Sequence, residues 1–207
     1  IVTMNTDPLG TLPEVSIILP CLNEAEGLRF CINQIRDMLR ESPLSAEVII
    51  VNNNSTDASV DIITSAMKEF SWLRLEHEPI PGYGSAYLKG LSAARGSYFF
   101  LADADGTYNF GDVPRFVSEL KAGADMVVGN RFITGLDKKV MPWLHQYIGN
   151  PIISGQVRLF FKVPIHDVLC GARALSKTTY EKLDLHTRGM EFATEMIIKA
   201  ARNKLLL

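Results

Sequence analysis

Residues 47–57 read Glu-Val-Ile-Ile-Val-Asn-Asn-Asn-Ser-Thr-Asp. Four consecutive apolar residues that give way at once to short polar ones fit a strand buried on both faces at the point where it leaves the core. Ser55 or Thr56 can then cap a helix, because its hydroxyl accepts from an unpaired N–H of the first turn. That helix is predicted over 57–70. The same alternation repeats on either side. Upstream, 15–20 (VSIILP) reads as a strand and 24–40 carries apolar residues at helical spacing. Downstream come a strand over 72–77, a helix over 82–95, a strand over 98–102 (YFFLA), a helix over 112–121 and a strand over 125–129 (DMVVG). Strands separated by helices predict an α/β fold, Rossmann-like, with a mainly parallel central sheet covered by helices on both faces. Ligands of such sheets sit beyond the carboxyl ends of the strands, which places 21–24, 52–55 and 103–108 on one rim.

The chain has 207 residues, 47% of them hydrophobic, and 21 Lys and Arg stand against 23 Asp and Glu for a net charge of −2. This is globular composition, and it lacks the basic field that nucleic-acid binding requires. Cys21, Cys31 and Cys170 are odd in number and widely spaced, which argues against a disulfide framework or structural zinc and for a reducing compartment. Residues 1–10 lack the pattern of a signal peptide, and no run of 18 apolar residues marks a spanning helix. The expected organisation is an N-terminal extension over 1–13 and one domain over 14–207, cut short on its C-terminal side.

Beyond residue 130 the strand–helix rhythm stops. Lys138 and Lys139 precede a stretch rich in Met, Trp, Tyr, Leu and Phe, and Arg158 and Lys162 follow. Over 140–163 this pattern fits a helix pair at a membrane interface and fits an ordinary amphipathic packing helix equally well. Residues 167–173 read as a polar turn and 189–204 as a last amphipathic helix.

Leu101-Ala-Asp103-Ala-Asp105-Gly106 is the strongest local signal. Two carboxylates two residues apart at a strand end can share one divalent cation with a diphosphate, and hard oxygen ligands suit Mg²⁺ or Mn²⁺. A solvated Asp-rich turn has the same sequence. Asn23, Glu24 and Asn52, at two neighbouring strand ends, are candidate contacts to a base and ribose, whereas Thr56 and Asp57 are expected to cap. Gly82-Tyr-Gly84-Ser-Ala-Tyr87 has the look of a phosphate loop, but the third glycine of a dinucleotide fingerprint would fall on Tyr87, and the segment does not follow the first strand. Neither a GxxxxGK[ST] loop nor a GxSxG elbow is present. His77, His145, His166 and His186 show no metal-ligand spacing and are expected to be structural.

In order, P-x-x-N-E, V-N-N-N-S-T-D, G-Y-G-S-A, D-A-D-G-T-Y and G-N-R-F resemble the inverting family-2 glycosyltransferases of GT-A fold. M-P-W-L-H-Q-Y-I-G-N-P, D-V-L-C-G-A-R-A and G-M-E-F-A-T-E are similar to the polyprenyl-phosphate branch, the dolichyl-phosphate mannose and glucose synthases. The resemblance covers about residues 14–204.

It implies a hexosyltransferase on the cytoplasmic face of a membrane, using a UDP- or GDP-hexose and a lipid phosphate acceptor. Pro20, Asn23, Glu24, Asn52 and Gly84 would line the donor pocket, with Asn52 standing where the family commonly has Asp. Asp103 and Asp105 would hold the metal and the donor diphosphate. Thr107 stands where mannose synthases often have Gln. Arg131 and Arg173 would hold the acceptor phosphate, since guanidinium forks match its oxygens, and Glu195, or less readily Glu191, would reach the same cleft. Asp167 would position the sugar or acceptor, because a phosphate monoester is anionic near neutrality without a base. With a hydroxyl acceptor, in glycan or cell-wall synthesis, Asp167 would be a general base. A non-catalytic nucleotide-sugar-binding domain ranks behind these, and a relative of the sugar-nucleotide pyrophosphorylases last, since 21–27 lack the glycine-rich, Arg-containing loop expected after its first strand. Sugar, base, lipid length and oligomeric state are not encoded in any of these patterns.

Overall fold

The computed structural model describes residues 12–131, 155, 165 and 167–207. Among them, six strands form one sheet in the order β3-β2-β1-β4-β6-β5. β1 (Val15–Cys21), β2 (Ala46–Asn52), β3 (Leu73–His77) and β4 (Tyr98–Leu101) run parallel, as the alternation predicts. β6 (Arg173–Ser176) lies antiparallel between β4 and β5 (Met126–Val128). The reading of 167–173 as a turn therefore stops one residue late, since Arg173 already opens a strand.

The helices fall into two layers because successive strand side chains point to opposite faces. Val15, Ile17 and Leu19 of β1 pack with α1 (Ala25–Glu41), α2 (Ser59–Met67) and α4 (Val113–Lys121) through Leu28, Ile35, Ile63 and Val117. Ile18 points the other way, to Tyr87 and Leu91 of α3 (Tyr83–Ala93), Leu183 of α5 (Lys177–Leu183), and Phe192 and Met196 of α6 (Phe192–Arg202). Gly90 allows α3 to lie directly against the Ile18 side chain. α5 has no counterpart in the sequence reading, and α6 begins three residues later than expected. The candidate interface helices of 140–163 lie outside the described residues apart from Gly155, as do His145 and His166. Among the described residues no helix is long and apolar enough to cross a membrane.

Register aligns the strand ends. Cys21 pairs with Asn52, Asn52 with His77, and Ile18 with Leu101. Arg173 opposes both Leu101 and Val128, so the antiparallel strand starts at the rim where the parallel strands end and brings 167–172 there. The other end of the sheet is closed by Glu47, 2% exposed, which accepts from Ser16 Oγ at 2.8 Å, Arg95 N at 2.7 Å and Arg74 Nη1 at 2.7 Å.

Candidate functional site

At the β1–β2 end of the rim, polar residues serve loop geometry first. Asn23 takes a left-handed conformation, φ 59°, and its Oδ1 accepts from the amides of Thr56 at 2.8 Å and Asp57 at 3.3 Å. The oxygen of the exposed Asn23 thus ties one strand-end loop to the next. Asp57 caps as expected, and at two helices, accepting from Ala25 N at 3.1 Å and Ser59 N at 2.9 Å. Asn52 is nearly buried. Its Oδ1 accepts from Ser55 N at 3.0 Å, and its amide nitrogen lies 3.3 Å from Nδ1 of the exposed His77. Pro20, the penultimate residue of β1, is half-buried.

The acidic centre forms where β4 ends. Asp105 is exposed and its Oδ1 accepts from Thr107 N at 2.8 Å, while Asp103 sits deeper. Burial, reinforced by the charge of Asp105, raises the Asp103 carboxyl above its ordinary range against hydroxyl bonds from Tyr83 and Tyr87. Glu24 is raised as well, by burial and then by Asp105, Asp103 and Asp57. A cation beside Asp103 and Glu24 would relieve the repulsion that raises these two carboxyls. No group of three His, Cys, Asp or Glu among the described residues could hold one alone, so Asp103 and Asp105 fit a divalent ion whose remaining ligands come from a bound phosphate or water. Gly27 gives α1 its place beside this loop: a methyl there would stand 2.7 Å from the Asp105 carbonyl carbon.

The opposite wall comes from the turn before β6. Asp167 is fully buried and takes Arg131 in a two-pronged pair, Nε to Oδ2 at 2.8 Å and Nη2 to Oδ1 at 2.9 Å, with the Arg131 amide at 3.2 Å. Gly171 N donates to Tyr108 Oη at 2.7 Å. Arg173 does not meet its expectation. It is 3% exposed and its guanidinium donates to the carbonyls of Cys170, Ala193 and Val168, so it binds the turn to α6 and presents no open fork to a phosphate.

Two further expectations fail together. Gly84 N donates to Gly189 O at 3.2 Å and Ser85 N to Arg188 O at 3.0 Å. A methyl at Gly84 would collide with the carbonyl of Thr187. The glycines of G-Y-G thus admit the 187–189 backbone, which occupies the helix start where a phosphate was expected. Glu195 is equally engaged: its carboxylate accepts from Thr187 Oγ1 at 2.6 Å, Thr187 N at 3.0 Å and His186 N at 3.1 Å, and pairs with Lys199 at 2.8 Å. It holds the 186–189 segment in place. His186 lies 3.0 Å from Asp184, with both side chains exposed.

The reading missed Tyr83, Tyr87 and Tyr108. The i, i+4 spacing of the first two, just inside a helix that opens toward the rim, was the available signal.

The model for "Glycosyl transferase family 2" matches residues 16–184. The chain is 33% identical over 194 residues to the low-salt glycan biosynthesis hexosyltransferase Agl6 of Haloferax volcanii, covering 93% of this chain and 46% of that protein. It spans less than half the length of that relative. It is 26% identical over 207 residues to the polyprenol monophosphomannose synthase of Mycolicibacterium smegmatis, covering 95% of this chain and 76% of that one. Among solved structures, glucosyl-3-phosphoglycerate synthase of Mycobacterium tuberculosis, in complex with Mn²⁺, UDP-glucose and glycerol 3-phosphate, superposes with a TM-score of 0.70 at 19% identity, covering 92% of this chain and 66% of that one. The likeness shows a shared GT-A fold. With its acidic pair at the end of β4 and a family match over most of its length, the chain belongs to glycosyl transferase family 2.

Proposed function

We propose that this chain is the catalytic domain of an inverting hexosyltransferase that moves a hexose from a nucleotide-diphosphate sugar to a polyprenyl phosphate at the cytoplasmic face of a membrane. The observation that carries this reading is the pair Asp103 and Asp105 at the carboxyl end of β4, with Glu24 from the end of β1 and Gly171, in the turn that begins with Asp167, against the Asp103 carboxylate. The polyprenol monophosphomannose synthase, and the dolichol-phosphate mannosyltransferase of Pyrococcus furiosus at 26% identity, support the lipid phosphate as acceptor.

Asp103 and Asp105 would hold Mg²⁺ or Mn²⁺ together with the donor diphosphate. The ion, when bound, supplies positive charge to the departing nucleotide diphosphate. Asn52 and His77 lie at the end of the rim suited to the base, with Pro20 and Glu24 beside them. Arg131 spends Nε and Nη2 on Asp167, and its remaining Nη1 edge is the cationic group for the acceptor phosphate. A phosphate oxygen attacks the anomeric carbon as the bond to the diphosphate breaks, and configuration inverts. Asp167 fits a phosphate acceptor better than a hydroxyl: both of its oxygens already accept from Arg131, and a phosphate monoester needs no base near neutrality.

The test combines UDP- and GDP-hexoses with Mn²⁺ and a polyprenyl phosphate and looks for the hexosyl lipid by mass spectrometry. One nucleotide class should yield product, and Asp105→Ala should lower the rate by about 10²-fold or more. Full transfer by Asp105→Ala overturns the cation role. Failure of every donor to yield lipid-linked hexose overturns the function.

A further inference from the structure

Asp103 is the deeper carboxylate of the pair, and one of its oxygens is already engaged. Tyr87 Oη donates to Asp103 Oδ1 at 3.2 Å, and the Tyr83 ring lies against Tyr87. The two tyrosines are one turn apart on α3, so their rings leave the same side of the helix. Tyr87 is 1% exposed and fixed on two sides. Its ring stacks on Phe192 at 5.4 Å with 6° between planes, and meets Tyr83 edge-on at 4.9 Å and 78°. The other carboxylate oxygen faces Gly171, where an added methyl would stand 2.7 Å from Oδ2. Asp103 is therefore clamped between α3 and the turn before β6.

Packing alone does not account for the hydroxyl. A phenylalanine at 87 would keep the stack on Phe192 and the apolar burial, while a buried phenol needs a hydrogen-bond partner to avoid a desolvation cost. Here that partner is an oxygen of the carboxylate at the centre of the site. Phe192 opens α6, directly after the 187–189 segment whose carbonyls cap α3.

We propose that Tyr87 is a positioning residue for the cation site: its hydroxyl holds Asp103 in one orientation, and its stack on Phe192 ties that orientation to α6 and the 187–189 segment. The inference rests on the donor-site reading above. Groups that orient a ligating carboxylate change cation affinity by about 10–100-fold when removed. A hydroxyl that merely satisfied a buried acid would alter folding stability and leave cation affinity unchanged.

The experiment is a Mn²⁺ titration, with free ion followed by electron paramagnetic resonance, in the presence of UDP and separately of GDP. It uses the wild-type chain, Tyr87→Phe, Asp103→Asn and the double variant, with metal-free thermal melts alongside. Tyr87→Phe should weaken Mn²⁺ binding by about tenfold or more. In the Asp103→Asn background it should add nothing, because the tyrosine acts through that carboxylate. Wild-type affinity in Tyr87→Phe, or a full additional loss in the double variant, overturns the proposal. Should Tyr87→Phe fail to fold, Phe192→Leu keeps both hydroxyls and removes the stacking ring; it should also weaken binding, and wild-type affinity there overturns the proposal. A wild-type chain that binds no Mn²⁺ with either nucleotide overturns the donor-site reading and this inference together. A wild-type chain whose affinity falls in Asp103→Asn but not in Tyr87→Phe overturns this inference alone.

Discussion

A methyl group at position 171 would stand 2.7 Å from both Asp103 Oδ2 and Tyr108 Oη, closer than real Cβ atoms approach. The tyrosine is not free to yield, since its oxygen takes the Gly171 N–H at 2.7 Å, so the carboxylate has to turn. Gly171→Ala should therefore cost about 1–3 kcal/mol of stability from overpacking and weaken Mn²⁺ binding with it. Thermal melts and the Mn²⁺ titration check both, and unchanged cation affinity would show that Asp103 has room to move. At this scale the sequence showed what is local. Asp103 and Asp105 are legible because two residues of separation fix their proximity on any strand end. The Arg131–Asp167 pair joins residues 36 apart, and the approach of Gly171 to Asp103 spans 68 positions; no local pattern encodes either contact. Both members of the ion pair were picked out as site residues, yet nothing in their spacing showed that they would bind each other. Arg173 misled for a related reason: a guanidinium suits phosphates and backbone carbonyls alike, and only burial decides between them.

Among the elements, the parallel strands were readable from the apolar runs of β1, β2 and β4 and the alternation of β3, whereas β6 was not. It has four residues and Arg173 at its start, so neither length nor hydrophobicity announces a strand. Its place in the sheet comes from neighbours on both sides. The start of α6 was misjudged because 189–191 keep helical spacing, while the Gly189 carbonyl, at the end of the 186–189 segment, serves another helix. That segment depends on Glu195. Burial raises this carboxyl, but the bonds from Lys199, the Thr187 hydroxyl and amide, and the His186 amide outweigh burial and hold it at about 2 against an ordinary 4.5. Between these values the unfolded chain binds the proton and the folded chain does not, so the contribution is fully present above about pH 4.5 and is lost as pH falls toward 2. Glu195→Gln should thus be destabilised at pH 7 and lose less stability than wild type on going to pH 3. Denaturant melts at the two pH values measure this, and equal acid losses in the two proteins would remove Glu195 from the account.

Across the whole molecule the two ends of the sheet hold charge in opposite ways. At the end away from the site, Glu47 is buried, and burial alone would raise it. Bonds from the Arg95 amide, Ser16, Arg74 and the Arg95 side chain bring it below its ordinary value, so this charge is compensated within the fold. At the rim, Asp103 and Glu24 are raised by burial and then by Asp105, so this charge is not compensated within the fold. The arrangement compensates charge at one end of the sheet and leaves repulsion at the rim proposed to bind the donor, a division expected when function draws on stability. Glu47→Ala should cost about 3 kcal/mol, because Ser16, Arg74 and the Arg95 amide lose a common buried acceptor. It should leave the increment in melting temperature from Mn²⁺ and the preferred nucleotide intact. Asp105→Ala should do the reverse. Its metal-free melting temperature should equal or exceed that of wild type, since one repelling charge is gone, and the increment should vanish because the folded state no longer gains binding energy over the unfolded one. Melts of the two variants with and without Mn²⁺ and nucleotide decide the matter. A metal-free drop in Asp105→Ala as large as that in Glu47→Ala would mean that the rim carboxylates hold the fold together, and the opposition between the two ends would fail.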